Sequence, residues 1–155
     1  MIVRLGEERD FPGFLALAAE VEHWFGPMVD ERGFHDAVRA HIRRSLALVA
    51  VASDTGPPLG GLLFGVEGAT HHVHWLVVSE GARGAGAGRA LMADATRRWV
   101  RGPGTLEVVT FGTDHPGAVA SGARAFYTRL GFTPAEHAAP GPEGGSRQVF
   151  RRNVD

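Results

Sequence analysis

The stretch VHWLVVSEGARGAGAGRALMADA runs from Val73 to Ala95. A β-like apolar run ends at Val78, glycine recurs at Gly81, Gly84, Gly86 and Gly88, and a helical spacing starts at Gly86. Glycine at that density weakens regular structure, so the segment is read as a place where bare backbone is needed. A strand, a glycine turn and a helix start aim several N–H groups at one point, and the helix dipole adds partial positive charge. Arg83 adds a formal one. The pattern predicts a bound anion, a phosphate above all.

Outward from that loop the chain reads as strands and amphipathic helices. Towards the N-terminus, MIVRL is a short strand, and Asp10 is placed to cap a helix FPGFLALAAEVEHWF with Phe14, Leu15, Ala18, Val21 and Phe25 on one face. DERGFHDAVRAHIRRS resumes helical spacing through Phe34, Val38 and Ile42. LALVAVA and GLLFGVE form a hairpin about the turn SDTGPPLG, and HHVHWLVVS is the fourth strand. A helix spans Gly86 to Arg101, with Leu91, Met92, Ala95 and Trp99 inward. Arg97, Arg98 and Arg101 suit its negative end. TLEVVTF is the fifth strand. Pro116 opens a helix carrying Val119, Ala123, Phe126, Tyr127 and Leu130, which stops at Gly131. FTPAEHA and SRQVFRR close the chain as strands. Strands cluster early and alternate with helices only later. That order predicts a mixed α+β fold: six to seven mostly antiparallel strands flanked by about four helices, in one domain over residues 1–155.

Composition narrows the chemistry. The 155 residues are 44% hydrophobic and 21% charged with a formal net charge of −1, so no global positive field points to nucleic acid. Every basic residue is arginine, which removes any mechanism needing a lysine. The absence of cysteine removes disulfides, thiolate catalysis and cysteine-based zinc sites. The charged N-terminus and the lack of a long apolar run point to a cytoplasmic protein without a membrane segment.

Three families of anion loop compete for residues 83–89. A nucleotide P-loop requires lysine after its last glycine, and Ala87 follows Gly86 while Arg89 follows Gly88. A dinucleotide G-x-G-x-x-G begun at Gly86 meets Leu91, and begun at Gly84 meets Arg89. The third reading fits: Arg83-Gly-Ala-Gly86-Ala-Gly88 after Leu76-Val77-Val78 resembles the acyl-CoA signature R/Q-x-x-G-x-G/A of the GNAT superfamily of N-acetyltransferases. ARAFYTRLGF at 123–132 is similar to that superfamily's second signature, an aromatic-Tyr pair on a helix ending in Gly-Phe. The two lie in the expected order.

The resemblance implies an enzyme that transfers an acetyl group from acetyl-CoA to a primary amine of a small molecule or peptide. The coenzyme pyrophosphate would rest on Arg83, Gly84, Ala85, Gly86, Ala87, Gly88 and Arg89. In that superfamily the fourth and fifth strands splay, and the pantetheine arm pairs with fourth-strand backbone, here Leu76, Val77 and Val78. A Val78 N–H would polarise the thioester carbonyl. Tyr127, the only tyrosine, falls where the superfamily places the acid for the departing thiolate; alone, a helical tyrosine beside Phe126 also reads as core packing. His72 falls where some members carry a carboxylate base. By strand alternation His72 and His74 are expected on one face with Leu76 and Val78, either as bases or as partly exposed strand histidines. Asp114 and His115 are further candidates. A metal site is the rival reading of HHVH, but no second ligand cluster supports it, and no metal is expected. The superfamily's frequent Asn is replaced by Ala120, so that coenzyme hydrogen bond is either lost or supplied by the neighbouring Ser121.

The acceptor is expected against AEVEHWFGPMVDERGF, with Trp24, Phe25, Met28 and Phe34 as an apolar wall and Glu20, Glu22, Asp30 and Glu31 attracting a cation. A homodimer is left open. The alternative function is a non-catalytic acyl-CoA-binding or sensing module.

Overall fold

The structure is a computed structural model describing residues 1–155. Seven strands form one sheet: β1 (Ile2–Leu5), β2 (Ala47–Val51), β3 (Pro58–Glu67), β4 (Thr70–Val78), β5 (Gly104–Phe111), β6 (Thr133–Ala138) and β7 (Arg147–Val154). Their order is β1-β2-β3-β4-β5-β7-β6. Every neighbouring pair is antiparallel except β4 and β5. The mixed α+β architecture read from the sequence is therefore the one found.

The helices are α1 (Phe11–Ala19), α2 (Glu22–Phe25), α3 (Arg32–Arg43), α4 (Ala87–Trp99), α5 (Pro116–Ala120) and α6 (Ala123–Arg129). Four helical stretches were expected and six helices occur, because the first and last stretches are each interrupted. The first breaks at Glu20–Val21, and Trp24 and Phe25 of α2 then pack against Leu17, Ala18, Val21, Met28 and Val77. The last breaks at Ser121–Gly122: Ser121 Oγ donates to the Gly117 carbonyl and accepts from the Ala123 N–H, ending one helix and opening the next.

Apolar spacing on these elements produces cores on both faces of the sheet. Leu91, Met92 and Ala95 of α4 and Tyr127 of α6 pack on Leu48, Leu62, Phe64, Val73, Leu106, Val108 and Phe150. On the opposite face Phe11, Phe14 and Val38 from α1 and α3 pack on Val49, Val51 and Leu63. A fully buried side chain such as Phe14 or Leu91 contributes about 1.5–3 kcal/mol of transfer free energy. Asp10 does not cap α1 with its side chain. Its carboxylate takes two hydrogen bonds from Arg4, at 2.8 and 3.0 Å, and one from the Glu7 N–H at 2.8 Å. That clasp ties β1 to the entrance of α1.

Two irregularities in the middle of the sheet matter most. First, β4 pairs with β5 only from Thr70–Val73 against Thr105–Val108. Beyond those residues β4 stays with β3 and β5 stays with β7, so a wedge opens between them. Second, the β3–β4 register steps from Leu63 opposite Trp75 to Phe64 opposite Val73, leaving His74 as the extra residue of a β-bulge. The bulge resets side-chain alternation. Val73 packs on the α4 side with Leu76 and Val78, while Trp75 and Val77 pack towards α1 and α3.

Candidate active site

Two cavities meet at the wedge. The first, of about 490 Å³, runs over the C-terminal end of β4 to the start of α4. Leu76, Val77, Val78, Arg83, Gly84, Gly86, Ala87, Gly88, Arg89, Ser121 and Tyr127 all line it; of the expected coenzyme residues only Ala85 stands outside. Ala85 instead spends its N–H on the Ala82 carbonyl in the turn. Gly86 holds φ 87°, a left-handed conformation that glycine adopts at no steric cost, and it leads into α4 with no side-chain cap. The first N–H groups of α4 are thus left without intrahelical partners and face open space. The charged side chains on this wall are Arg83, Arg89 and Arg129, with no carboxylate among them. The cavity combines a helix N-terminus, uncovered amides and three arginines, the donor set a diphosphate requires.

Ser79 donates its N–H to Leu59 O on β3 at 2.8 Å. Successive peptide groups of a strand point to opposite sides, so the Val78 and Leu76 N–H and C=O groups face the wedge. This edge is unpaired, and it is where an extended ligand arm would add as a further strand.

The second cavity, of about 480 Å³, lies on the other side of the wedge. His72, His74, Trp75, Glu107, Thr110, Tyr127 and Glu143 are among its lining residues, with Phe25, Pro27 and Met28 as an apolar side. Its ionisable groups are imidazoles and carboxylates rimmed by Arg147, the opposite character from the first cavity. Phe25, Leu76, Val77, Phe111, Ala123 and Tyr127 touch both spaces and form the partition.

Tyr127 sits in that partition with only 5% of its surface exposed. Phe126, Phe132 and Phe150 meet its ring. Burial raises its pKa well above the ordinary phenol value, so the hydroxyl keeps its proton throughout the working pH range. The hydroxyl oxygen is not among the buried polar atoms that lack a partner, and no protein group bonds it, so it opens onto cavity space.

The bulge at His74 corrects the expected face sharing. His72 and His74 lie with Trp75 and Val77, not with Leu76 and Val78, because the extra residue shifts the alternation by one. Loss of solvent round the ring, then the neighbouring His41 and His72, lowers the pKa of His74 and favours its neutral form. His71 is occupied elsewhere: its Nδ1–H donates to Thr105 O and its Nε2 accepts the Arg101 N–H, joining β4 to β5 and the end of α4. Asp114 bonds Ser146, which holds its carboxyl below the usual range. His115 caps α5 by accepting the Gly117 N–H at 2.8 Å, so its other nitrogen carries the proton and faces Glu143 Oε1 at 3.3 Å.

Of the four carboxylates expected to attract the acceptor, Glu20 and Glu22 are otherwise employed. Glu22 Oε2 accepts the N–H groups of Met28 and Val29 at 2.6 and 3.0 Å, which lowers its pKa and fixes the α2–α3 loop. Glu20 accepts the Glu80 N–H at 2.9 Å and braces the turn before the glycine loop. The acidic groups facing the second cavity are Glu107 and Glu143, far along the chain. Sequence reading missed both, since nothing local distinguishes them from surface carboxylates.

The fold and this pair of cavities define the class: a mixed sheet whose parallel strands part beside a glycine-rich loop at a helix start. The family model for the acetyltransferase (GNAT) domain matches residues 45–134. The chain belongs to the GNAT acetyltransferase family. Among solved structures it is similar to a ribosomal-protein-alanine N-acetyltransferase from Brucella melitensis, with 21% identity, a TM-score of 0.73, and 99% of this chain and 100% of that one covered. A GNAT-family protein from Desulfovibrio desulfuricans shares 21% identity at a TM-score of 0.74, covering 99% of each chain. A chain of the NatC complex bound to Gag peptide and CoA shares 15% identity at a TM-score of 0.72, covering 99% of this chain and 98% of that one. At such identities these likenesses speak for the fold. No curated protein matches the chain.

Proposed function

We propose that the protein transfers an acetyl group from acetyl-CoA to a primary amine of a small molecule or peptide by direct attack on the thioester. One observation carries the reading: an arginine-lined cavity at an uncapped helix start and a cavity bearing imidazoles and carboxylates share one wall, and Tyr127 is in it.

Arg83 and Arg89 with the amides of Gly84, Gly86, Ala87 and Gly88 hold the pyrophosphate. Ser121 lines the same cavity, but its one hydroxyl hydrogen goes to the Gly117 carbonyl, so the coenzyme bond that Ala120 cannot make is lost. The Leu76 and Val78 peptide groups pair with the pantetheine arm and set the thioester in the wedge. Val78 N–H donates to the carbonyl oxygen as negative charge develops on it. An aliphatic ammonium has a pKa near ~10, so an imidazole of the second cavity, His72 or His74, removes a proton before attack. The amine nitrogen then bonds the carbonyl carbon and the C–S bond breaks. Tyr127 gives its hydroxyl proton to the leaving sulfur and regains one from solvent, while the nitrogen, cationic after attack, loses its second proton to solvent as the amide forms. Holding both reactants on one partition supplies much of the rate.

Thiol release from acetyl-CoA across a panel of amines tests the activity, and a thermal shift tests the site. Coenzyme A at 100 times its Kd adds about 2.7 kcal/mol of stability, and NAD or ATP adds none. Gly86→Glu places a bulky anion in the loop and abolishes that shift. Coenzyme stabilisation without thiol release for any amine would turn the reading to a sensing module, and retention of the shift in Gly86→Glu would remove the loop from the site.

A further inference from the structure

His74 is the bulged residue of β4 and has no cross-strand partner, so its ring is free to leave the usual alternation. It leans over Gly65 of β3. A Cβ at that glycine would come 2.8 Å from His74 Nε2, and closer still to Cε1, so only glycine leaves room for the ring. From above, α3 presents His41, whose Nε2 lies 2.9 Å from His74 Nδ1. The other nitrogen of His41, Nδ1, lies 2.6 Å from the Ala37 carbonyl one turn back on α3.

These contacts determine the protons. A carbonyl oxygen only accepts, so His41 Nδ1 carries a hydrogen. With both rings neutral, His41 Nε2 then has the lone pair, and the hydrogen between the two rings belongs to His74 Nδ1. His74 Nε2 is left as the unprotonated nitrogen. The other charged or titratable groups around it are few. His72 stacks beside it with centroids 5.8 Å apart. From β3, Glu67 reaches His72 Nε2 at 4.0 Å. From β5, Glu107 lies in register with His72 and is held by Arg151 at 2.6 Å.

We propose that His41 is a positioning residue for acetyl transfer: by accepting the His74 Nδ1–H it keeps the His74 Nε2 lone pair ready to take the proton of the acceptor amine. This rests on the acetyltransferase reading above. The proton passes from the ammonium nitrogen to His74 Nε2, giving an imidazolium that still donates Nδ1–H to His41, and it then leaves to solvent. The arrangement follows the general logic of a base oriented by a third group. Here that group is a neutral histidine anchored by a backbone carbonyl.

The tautomer is readable without any acceptor, by long-range proton–nitrogen NMR correlation of the imidazoles in the full-length protein near pH 8. The expected wild-type spectrum has His74 protonated at Nδ1 and bare at Nε2. His41→Ala should give a mixture, and His41→Gln, whose amide oxygen accepts the same hydrogen, should restore the wild-type form. In thiol-release assays with an amine that the wild type uses, His41→Ala should lower kcat by about tenfold or more with KM for acetyl-CoA unchanged. The acid limb of its pH profile should move, and His41→Gln should recover most of the rate. A wild-type protein that turns over while His74 carries its proton on Nε2 would overturn the role of His41 alone. So would equal losses in the alanine and glutamine variants. A wild type that releases no thiol with any amine would instead overturn the acetyltransferase reading, and this role with it.

Discussion

Phe25 of α2 stacks on Phe111 at the end of β5 with ring centroids 4.7 Å apart and planes 27° apart, and both rings face both cavities. The pair bridges the wedge where β4 and β5 have parted. Trp24 and His115 extend it, each with its ring against Phe111.

Truncating this partition should widen the space for the acyl group. Phe25→Ala is expected to raise turnover of butyryl-CoA relative to acetyl-CoA by about tenfold, the scale on which an apolar pocket discriminates a methylene or two. Parallel thiol-release rates with the two thioesters check it, and an unchanged ratio would show that the acyl group does not approach this ring.

Tyr127→Phe keeps the ring among Phe126, Phe132 and Phe150 and removes only the hydroxyl. Stability should change by no more than about 1 kcal/mol, while kcat falls by roughly a hundredfold, the lower end of what a positioned acid supplies. Because burial raises the Tyr127 pKa, the wild-type pH–rate profile should show no alkaline limb from this group below about pH 10. Wild-type turnover in the phenylalanine variant would take Tyr127 out of the chemistry.

His74 should make the protein sensitive to mild acid. Its folded-state pKa lies below the ordinary 6.5, so between the two values the unfolded chain binds a proton that the folded chain refuses. The favourable state is complete above pH 6.5, and stability is lost as pH falls through the depressed value. Melting curves from pH 8 to pH 5 should therefore show a smaller loss in His74→Gln than in the wild type. Parallel curves for the two proteins would show that His74 titrates normally.

Asp10 is 5% exposed, and its bonds to Arg4 and the Glu7 N–H outweigh burial to lower its pKa. This stabilisation is present above the ordinary carboxyl value of 3.8 and is lost as pH falls through the lowered one. Asp10→Ala leaves the Arg4 guanidinium without its main partner and should cost about 3 kcal/mol at pH 7. Urea denaturation at pH 7 and pH 3 checks both the size and the narrowing of the difference on acidification.

Local pattern carried the reading of the sheet, the glycine loop and the helical face of Tyr127. Each rests on a short-range rule: strand alternation, helical spacing, or glycine and arginine at a strand–helix junction. The same rules placed His72 and His74 on the wrong face, because alternation holds only while no residue is added. The bulge at His74 arises from how β3 registers against β4, a pairing between distant segments. Glu20 and Glu22 looked available for a ligand, and their backbone partners at Glu80 and Met28 became visible only with the chain folded.

From the sequence alone follow the α+β class, the glycine loop at residues 83–89 and the resemblance that named the family, since all depend on residues near one another in the chain. Tertiary structure decided which groups come together: Glu107 and Glu143 lining one cavity with His72 and His74, Phe25 against Phe111, His41 against His74. The physical reason is that a side chain's partners are set by strand register and by helix packing on the sheet. Both are long-range quantities that no local spacing encodes.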